Sequence, residues 1–400
     1  RAFPQFRTLQ EKLDALNSCI QEGLVGIRLI KSFVRGDYEE MRFEKRNQQL
    51  KEANLTAMKT MLLYTPLMTL ALNITTVVVV WSGGNMIVAG NMQVGDLTAF
   101  TNYIVQIMSS LTMLSIAFLN WARAIASFRR VGEVLDEKID LTDENAKHKD
   151  RAVCEGSVEF QNVSFRYYKN SPEWVIENIS FKLEAGKTLG IIGSTGSGKS
   201  TLVSMIPRLY DTDEGTVLVD GINVRDYGLK PLREGIGMVL QNNTLFSGSI
   251  TENLKWGDEH ADEKAVRKAA QNAQAAGFID SFKDGYRTRL EQSGNNVSGG
   301  QKQRLCIARA LLKCPKILIL DDSTSAVDTA TERAIREALH SEYKDMTKII
   351  IAQRIRSVMD ADEILVLDNG KTAGFGTHEQ LLADCPVYRE IYDVQNGREE

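Results

Sequence analysis

Eight consecutive residues, Gly193, Ser194, Thr195, Gly196, Ser197, Gly198, Lys199 and Ser200, fit the phosphate-loop pattern G-x-x-x-x-G-K-[ST]. An apolar run at 188–192 precedes them, and Thr201 opens a helix-like stretch, TLVSMI, behind them. A strand, a glycine-rich turn and a helix in that order make an anion cradle. The glycines let backbone N–H groups close on phosphate oxygens, and the helix N-terminus favours their negative charge. Lys199 is expected to reach the β and γ phosphates, and the Ser200 hydroxyl to bind Mg²⁺. A chance glycine-rich loop would not come with that strand and helix around it.

Two further stretches answer this one. The apolar run 317–321 ends in Asp321, and in a phosphate-loop fold a carboxylate there holds Mg²⁺. Alone the signal is weak, because many buried strands end in Asp. Val297-Ser298-Gly299-Gly300-Gln301 stands before an amphipathic stretch at 302–312. A lone Ser-Gly-Gly reads as a helix cap. Here a serine and two glycines at a helix start also make a second phosphate-binding device. One nucleotide has little need of two, so this one is expected to address a nucleotide held by another subunit.

The elements that position these residues follow from the rest of the chain. Its 400 residues are 43% hydrophobic and 25% charged, enough for two or three domains with packed cores. A net charge of −4 gives no basic face and argues against nucleic acid as a partner. The five cysteines, Cys19, Cys154, Cys306, Cys314 and Cys385, have neither zinc nor disulfide spacing, which fits a reducing cytosol. The chain opens with Arg1 and carries no secretory leader, so it reads as a piece or processed form of something longer. A polar stretch, DLTDENAKHKDR, makes a linker at 140–152. Beyond it strands and helices alternate, as in an α/β domain at 153–400. Strands are expected at 158–160, 188–192, 217–219, 237–240, 317–320 and 348–351. Runs at 363–368 and 371–374 flank Asn369-Gly370, a strong hairpin signal.

Residues 1–139 read differently. The stretches 61–81 and 97–122 carry no charged side chain, and both exceed the roughly 20 residues that cross a bilayer. Buried core helices are the alternative, but uncharged runs of this length are uncommon in soluble domains. Charge supplies an independent check. Arg35, Arg42, Lys45, Arg46, Lys51 and Lys59 precede the first run; Arg123, Arg129, Arg130 and Lys138 follow the second. The expected loop 82–96 has no Lys or Arg, so it should face out and both flanks the cytosol. Asn102 and Gln106 share a helix face in the second run, as helix–helix glue or as a cargo-facing surface.

With phosphate loop, Ser-Gly-Gly-Gln and Asp-ended strand in this order, residues 153–400 resemble the nucleotide-binding domain of ATP-binding cassette (ABC) exporters. The upstream part, with GLVGIRLIKSF and NMQVGDLTAFTNYI, resembles the last third of that family's membrane domain. The resemblance implies an α-helical transmembrane domain, present in part, followed by an α/β P-loop NTPase domain of ABC type. It implies ATP and Mg²⁺ as cofactors, with residues 193–201 around the nucleotide. It makes Tyr167 the aromatic that stacks on adenine, with Tyr168 as the alternative. It makes Gln241 a Mg²⁺ contact that senses the membrane domain, and Asp328, in Ser325-Ala-Val-Asp, a residue that communicates across a dimer. Residues 297–301 become the signature that completes a partner's ATP site, and residues 24–33 a coupling helix. Family members carry more spans per half than the two read here, so others should lie upstream.

Two departures stand out. Hydrolysing members place Glu after the Mg²⁺ carboxylate, where this chain has Asp322. Asp is one methylene, about 1.5 Å, shorter, and misplacement by about 1 Å can cost on the order of 100-fold in rate. Members also end the switch strand in His; IIIAQRI supplies Gln353, which hydrogen-bonds but carries no proton or positive charge. A smaller departure is Gln292, where Glu is usual. The catalytic positions, Asp322 and Gln353, therefore suggest a site that holds ATP and turns it over slowly. The expected whole is a multi-pass cell-membrane subunit with its nucleotide domain in the cytoplasm. Its expected partners are a different half-transporter in a heterodimer, the lipid bilayer, and a small amphipathic or drug-like cargo. The alternative is a non-hydrolytic subunit that uses ATP to gate a channel or regulate a transporter. A soluble DNA-repair or translation cassette would lack the spans.

Overall fold

The computed structural model describes residues 2–323 and 327–397. They fall into two units, 1–137 and 138–400, each described by itself. The break lies two residues before the domain end expected at 139.

The first unit is helical: α1 (Ala2–Val25), α2 (Ile27–Ser32), α3 (Gly36–Val88) and α4 (Val94–Leu135). Helices α1 and α3 pack together through the buried Leu16, Cys19 and Ala57, where Ala57 leaves room for a close approach. The short α2 follows Gly26 and buries none of its residues. The expected first span lies within α3, where the stretch long and apolar enough to cross a bilayer is Pro66–Val88, with a mean hydropathy of 1.6. It starts and ends later than the expected 61–81.

The loop expected at 82–96 is much shorter, because α3 continues to Val88 and α4 begins at Val94. Gly83 and Gly84 are helical. A Cβ on Gly83 would sit 2.5 Å from Leu97 Cδ1, so glycine here lets α3 and α4 approach. Gly90, at φ +75°, makes the turn. Gln93 and Asp96 form a capping box that starts α4. Helix α4 carries the whole of the expected second span. Among the described residues, however, only Pro66–Val88 meets the length and hydropathy of a crossing helix. The amides and hydroxyls at Asn102, Gln106, Ser109, Ser110 and Asn120 lower the hydropathy of α4. Asn102 and Gln106 are both exposed in this chain.

The second unit is built on parallel β-structure. In chain order it comprises β1 (Val158–Phe165), β2 (Ile176–Leu183), β3 (Thr188–Gly193), α5 (Lys199–Ser204), β4 (Glu214–Val219), β5 (Ile222–Asn223), α6 (Leu229–Glu234) and β6 (Ile236–Val239). There follow β7 (Gly248–Ser249), α7 (Ile250–Leu254), α8 (Glu263–Asn272), α9 (Ala276–Ser281), β8 (Arg289–Leu290), α10 (Gly299–Leu312) and β9 (Ile317–Asp321). The last elements are α11 (Thr329–Glu342), β10 (Thr347–Ile351), β11 (Glu363–Asp368), β12 (Lys371–Gly376), α12 (His378–Asp384) and α13 (Pro386–Asn396).

The central sheet has the order β12-β11-β3-β10-β9-β6, parallel except at the β11–β12 hairpin. Its inner strands are unbroken apolar runs because helices and loops cover both faces; β9 is buried at all five positions. An antiparallel sheet, β2-β1-β4-β5, lies beside it. Every expected strand is present, most of them longer at one or both ends. Strands β2, β5, β7 and β8 were not expected. In β2 the apolar Ile176, Ile179, Phe181 and Leu183 are buried between exposed polar residues, a half-buried strand pattern interrupted at Asn178. Asn369 and Gly370 both have positive φ, +46° and +78°, as a two-residue hairpin turn requires.

The linker and the residues just after it are held in place by hydrogen bonds. His148 N–H donates to the Asp226 carbonyl, and Leu229 N–H to the Asp143 carboxylate. The Asp220 carboxylate accepts from four successive backbone N–H groups, those of Cys154, Glu155, Gly156 and Ser157.

Candidate nucleotide site

The phosphate loop leaves β3 in the middle of the sheet, between its parallel neighbours β11 and β10. A Cβ on Gly193 would lie 2.1 Å from the Leu367 carbonyl oxygen. Gly198, at φ +90°, caps α5, and a Cβ there would meet Ile176 Cγ2 at 2.6 Å and the Val175 carbonyl oxygen at 2.9 Å. Side chains at either position would push the loop out of shape.

Lys199 folds back over the loop. Its Nζ donates to the carbonyls of Gly193 (2.9 Å) and Ser194 (2.7 Å) and lies 3.4 Å from Ser197 Oγ. Those carbonyls stand in for the phosphate oxygens that an ammonium here would meet. Burial pushes the Lys199 pKa down, against the pull of Asp322 and Asp321.

Strands β9 and β10 run parallel in register, with Asp321 opposite Ile351, so the residues after both strand ends converge. Ser200 Oγ donates to Asp321 Oδ1 at 2.9 Å. Asp322 takes a left-handed backbone, φ +47°, and its N–H donates to the Ile351 carbonyl. Its Oδ2 accepts from Gln353 Nε2 at 2.7 Å. Burial raises the pKa of both aspartates. Ser200 opposes this at Asp321, and Gln353 and Lys199 oppose it at Asp322.

Thr195, Gly196, Gly198, Lys199, Ser200, Thr201, Gln241, Asp321, Asp322 and Gln353 line one cleft of about 210 Å³, together with Val175 and Ile351. The cleft thus brings together the expected metal and catalytic positions and part of the expected nucleotide set, while Tyr167, Gly193, Ser194 and Ser197 do not line it. Val175 and Ile351 were missed; Val175 directly precedes the unexpected β2. The Ser200 hydroxyl and Asp321 carboxylate fit Mg²⁺, which takes one or two protein oxygens and completes its shell with phosphate and water. No group of three or more His, Cys, Asp or Glu forms a metal cage among the described residues.

Of the two candidate tyrosines, Tyr167 is the one joined to the phosphate-loop helix. Its hydroxyl is 2.9 Å from Thr201 Oγ1, and its ring packs edge-on against Phe165 and Tyr210. Tyr168 is 79% exposed.

The signature stands apart from this cleft: none of residues 297–301 lines it. Ser298 caps α10 in a capping box, its Oγ accepting from Gln301 N–H while Gln301 Oε1 accepts from Ser298 N–H. The cap reading and the phosphate-binding reading are therefore compatible, since the cap fixes the helix start. Asp328 caps α11, accepting from Thr331 N–H and Oγ1. Ser325 and Ala326 of the same loop lie outside the described residues.

Residues 176–325 match the family described as ABC transporter, and residues 4–111 the ABC transporter transmembrane region. The chain is 42% identical over 394 residues to the ABC transporter ATP-binding protein YfiB of Bacillus subtilis, covering 98% of this chain and 68% of that protein. It is 38% identical over 396 residues to the putative multidrug export ATP-binding/permease protein YgaD of the same organism, covering 98% and 67%. Among solved structures, a bacterial Atm1-family ABC exporter with ATP bound superposes with a TM-score of 0.86 at 29% identity, over 98% of this chain and 69% of that one. A helical transmembrane region joined to a phosphate-loop ATPase domain, at these identities and this likeness of fold, shows that the chain belongs to the ABC transporters, as a half-transporter of their ATP-hydrolysing exporters.

Proposed function

We propose that this chain is the slow-site half of a two-chain exporter. The observation that carries the reading is the 2.7 Å hydrogen bond from Gln353 to Asp322. The group best placed to activate water is a short carboxylate, already engaged by a neutral amide. That amide brings neither a proton nor a positive charge to the γ-phosphate. ATP with Mg²⁺ on Ser200, Asp321 and Gln241 would be held firmly and cleaved slowly.

The capped start of α10 supports the complementary role. Ser298 and the backbone N–H groups of Gly299 and Gly300 would close on ATP bound by the partner's phosphate loop. Two ATP molecules close the paired domains, α2 conveys closure to the membrane helices, and hydrolysis at the partner's site reopens them. Helices α3 and α4 would both span the cell membrane, their basic flanks in the cytoplasm. The name of YgaD favours a small, amphipathic, drug-like cargo.

Native mass spectrometry of the complex, extracted gently from its own membranes, tests the pairing. A second, different chain of similar mass is expected. Two copies of this chain would give both sites Asp322 and Gln353, and the division of labour would be abandoned.

A further inference from the structure

The Gln353 side chain reaches Asp322, but the Gln353 backbone is held from elsewhere. Gln395, in the last turn of the C-terminal helix α13, grips the switch loop with both ends of its amide. Its Nε2 donates to the Gln353 carbonyl at 2.8 Å, and its Oε1 accepts from Ile355 N–H at 2.7 Å. The neighbouring Asn396 accepts from the Arg356 guanidinium at 3.3 Å. Below these contacts the loop and the helix share one core: Ala352 and Ile355 are buried in the same cluster as Tyr388 of α13. The loop is thus anchored by apolar side chains on both sides of Gln353, and the Gln395 amide holds its backbone at Gln353 and Ile355.

We propose that Gln395 is a positioning residue for the nucleotide site: it sets the backbone at Gln353 and so aims that side chain at Asp322. The idea rests on the slow-site reading for its consequence, which is how long ATP stays. Helix α13 then acts as a latch on the switch loop. An event that lifts the helix would loosen the Gln353–Asp322 contact from a distance.

The test is a double-mutant cycle on the full-length chain in its complex. The complex is loaded with 8-azido-ATP and Mg²⁺ and chased with ATP, and photolabel on this chain is followed in time. Gln395→Ala should shorten retention about tenfold, the loss expected when about one net hydrogen bond is removed. Gln395→Glu should do the same, because a carboxylate still accepts from Ile355 N–H but repels the Gln353 carbonyl. In a Gln353→Ala background, adding Gln395→Ala should change nothing further. Wild-type retention in Gln395→Glu would overturn the proposal, as would losses that multiply in the double variant. Gln395→Ala should lower the melting temperature by the same small step with and without Gln353→Ala, so a retention loss that vanishes in the Gln353→Ala background reports aim and not general loosening of α13. If the wild type releases label as fast as the partner chain does, the slow-site reading falls, while the cycle still reads the coupling.

Discussion

Gln353 Nε2 lies 2.7 Å from Asp322 Oδ2, so the two residues on which the proposed slow site rests are bonded to each other. The contact follows from topology. Asp321 and Ile351 end adjacent parallel strands in register, and the next residues of each strand emerge side by side. A change at one position is therefore felt at the other. Asp322→Glu alone would place a longer carboxylate against an amide that does not assist it. Asp322→Glu with Gln353→His should raise hydrolysis of ATP held by this chain on the order of 100-fold, more than the product of the single effects. Single-turnover hydrolysis in the complex measures this. Gains that merely multiply would show that the contact does not couple the residues.

The proposed division of labour makes a second, opposed pair of outcomes. Asp322→Asn touches only this chain's slow site and should lower turnover of the complex modestly. Ser298→Arg breaks the capping box at α10 and fills the surface offered to the partner's ATP, so turnover should nearly vanish. Steady-state ATPase assays of the two variants compare them directly. Near-complete loss from both would count against a slow site.

Lys199 separates binding from folding. It is half-buried, its pKa pushed down by burial, and it is bonded to loop carbonyls. Lys199→Met should leave the melting temperature without nucleotide almost unchanged. The rise on adding Mg-ATP, worth about 2.7 kcal/mol at a hundred times Kd, should disappear. A lower melting temperature without ATP would mean that Lys199 also braces the loop.

Much of this site is legible in the sequence because its chemistry is local. The phosphate loop, the Asp-ended β9 and the Ser-Gly-Gly-Gln cap are each contiguous, and each sits on the element its pattern implies. What escaped depends on pairing across the chain. Strand β2 has a bulge at Asn178, with φ +51°, that breaks the alternation a reader looks for. Val175 reaches the cleft only because β2 brings it there. Gln395 meets the switch loop 42 positions earlier, and nothing in a helix-terminal glutamine announces that contact. The loop expected at 82–96 rests on the gap between two uncharged runs, but the first of the two helices, α3, runs on into that gap, and Gly83 serves its packing against Leu97.

Acid sensitivity should centre on Asp211. Burial raises its pKa, but the Arg208 and Arg225 guanidiniums outweigh that and hold it below the usual carboxylate range. Arg208 is almost fully buried and pairs with Asp211 at 2.8 and 3.1 Å. A depressed native pKa gives stability that is present above the unfolded value, about 3.9, and lost as pH falls through the native one. Asp211→Asn should cost about 2 kcal/mol at neutral pH, allowing for the part-exposed carboxylate. It should also flatten the decline of melting temperature below about pH 4. An unchanged acid limb in Asp211→Asn would assign the acid loss to other carboxylates.

Asp220 makes the last prediction, about how the linker is tied to the nucleotide domain. Its two carboxylate oxygens accept from four consecutive N–H groups, at 2.7, 3.1, 2.7 and 3.0 Å, across more than 60 residues of sequence. An asparagine offers one acceptor oxygen, and its NH₂ would face the N–H donors, so Asp220→Asn should break the clamp nearly as well as Asp220→Ala. Amide hydrogen exchange at 154–157 should then quicken about tenfold, as expected for losing about one net hydrogen bond of local stability. Exchange at β3 should stay unchanged, because that strand is held by β10 and β11. If protection at 154–157 survives, the linker is carried instead by Asp143 on Leu229 and by Lys147 on Asp226, which lie upstream of the clamp.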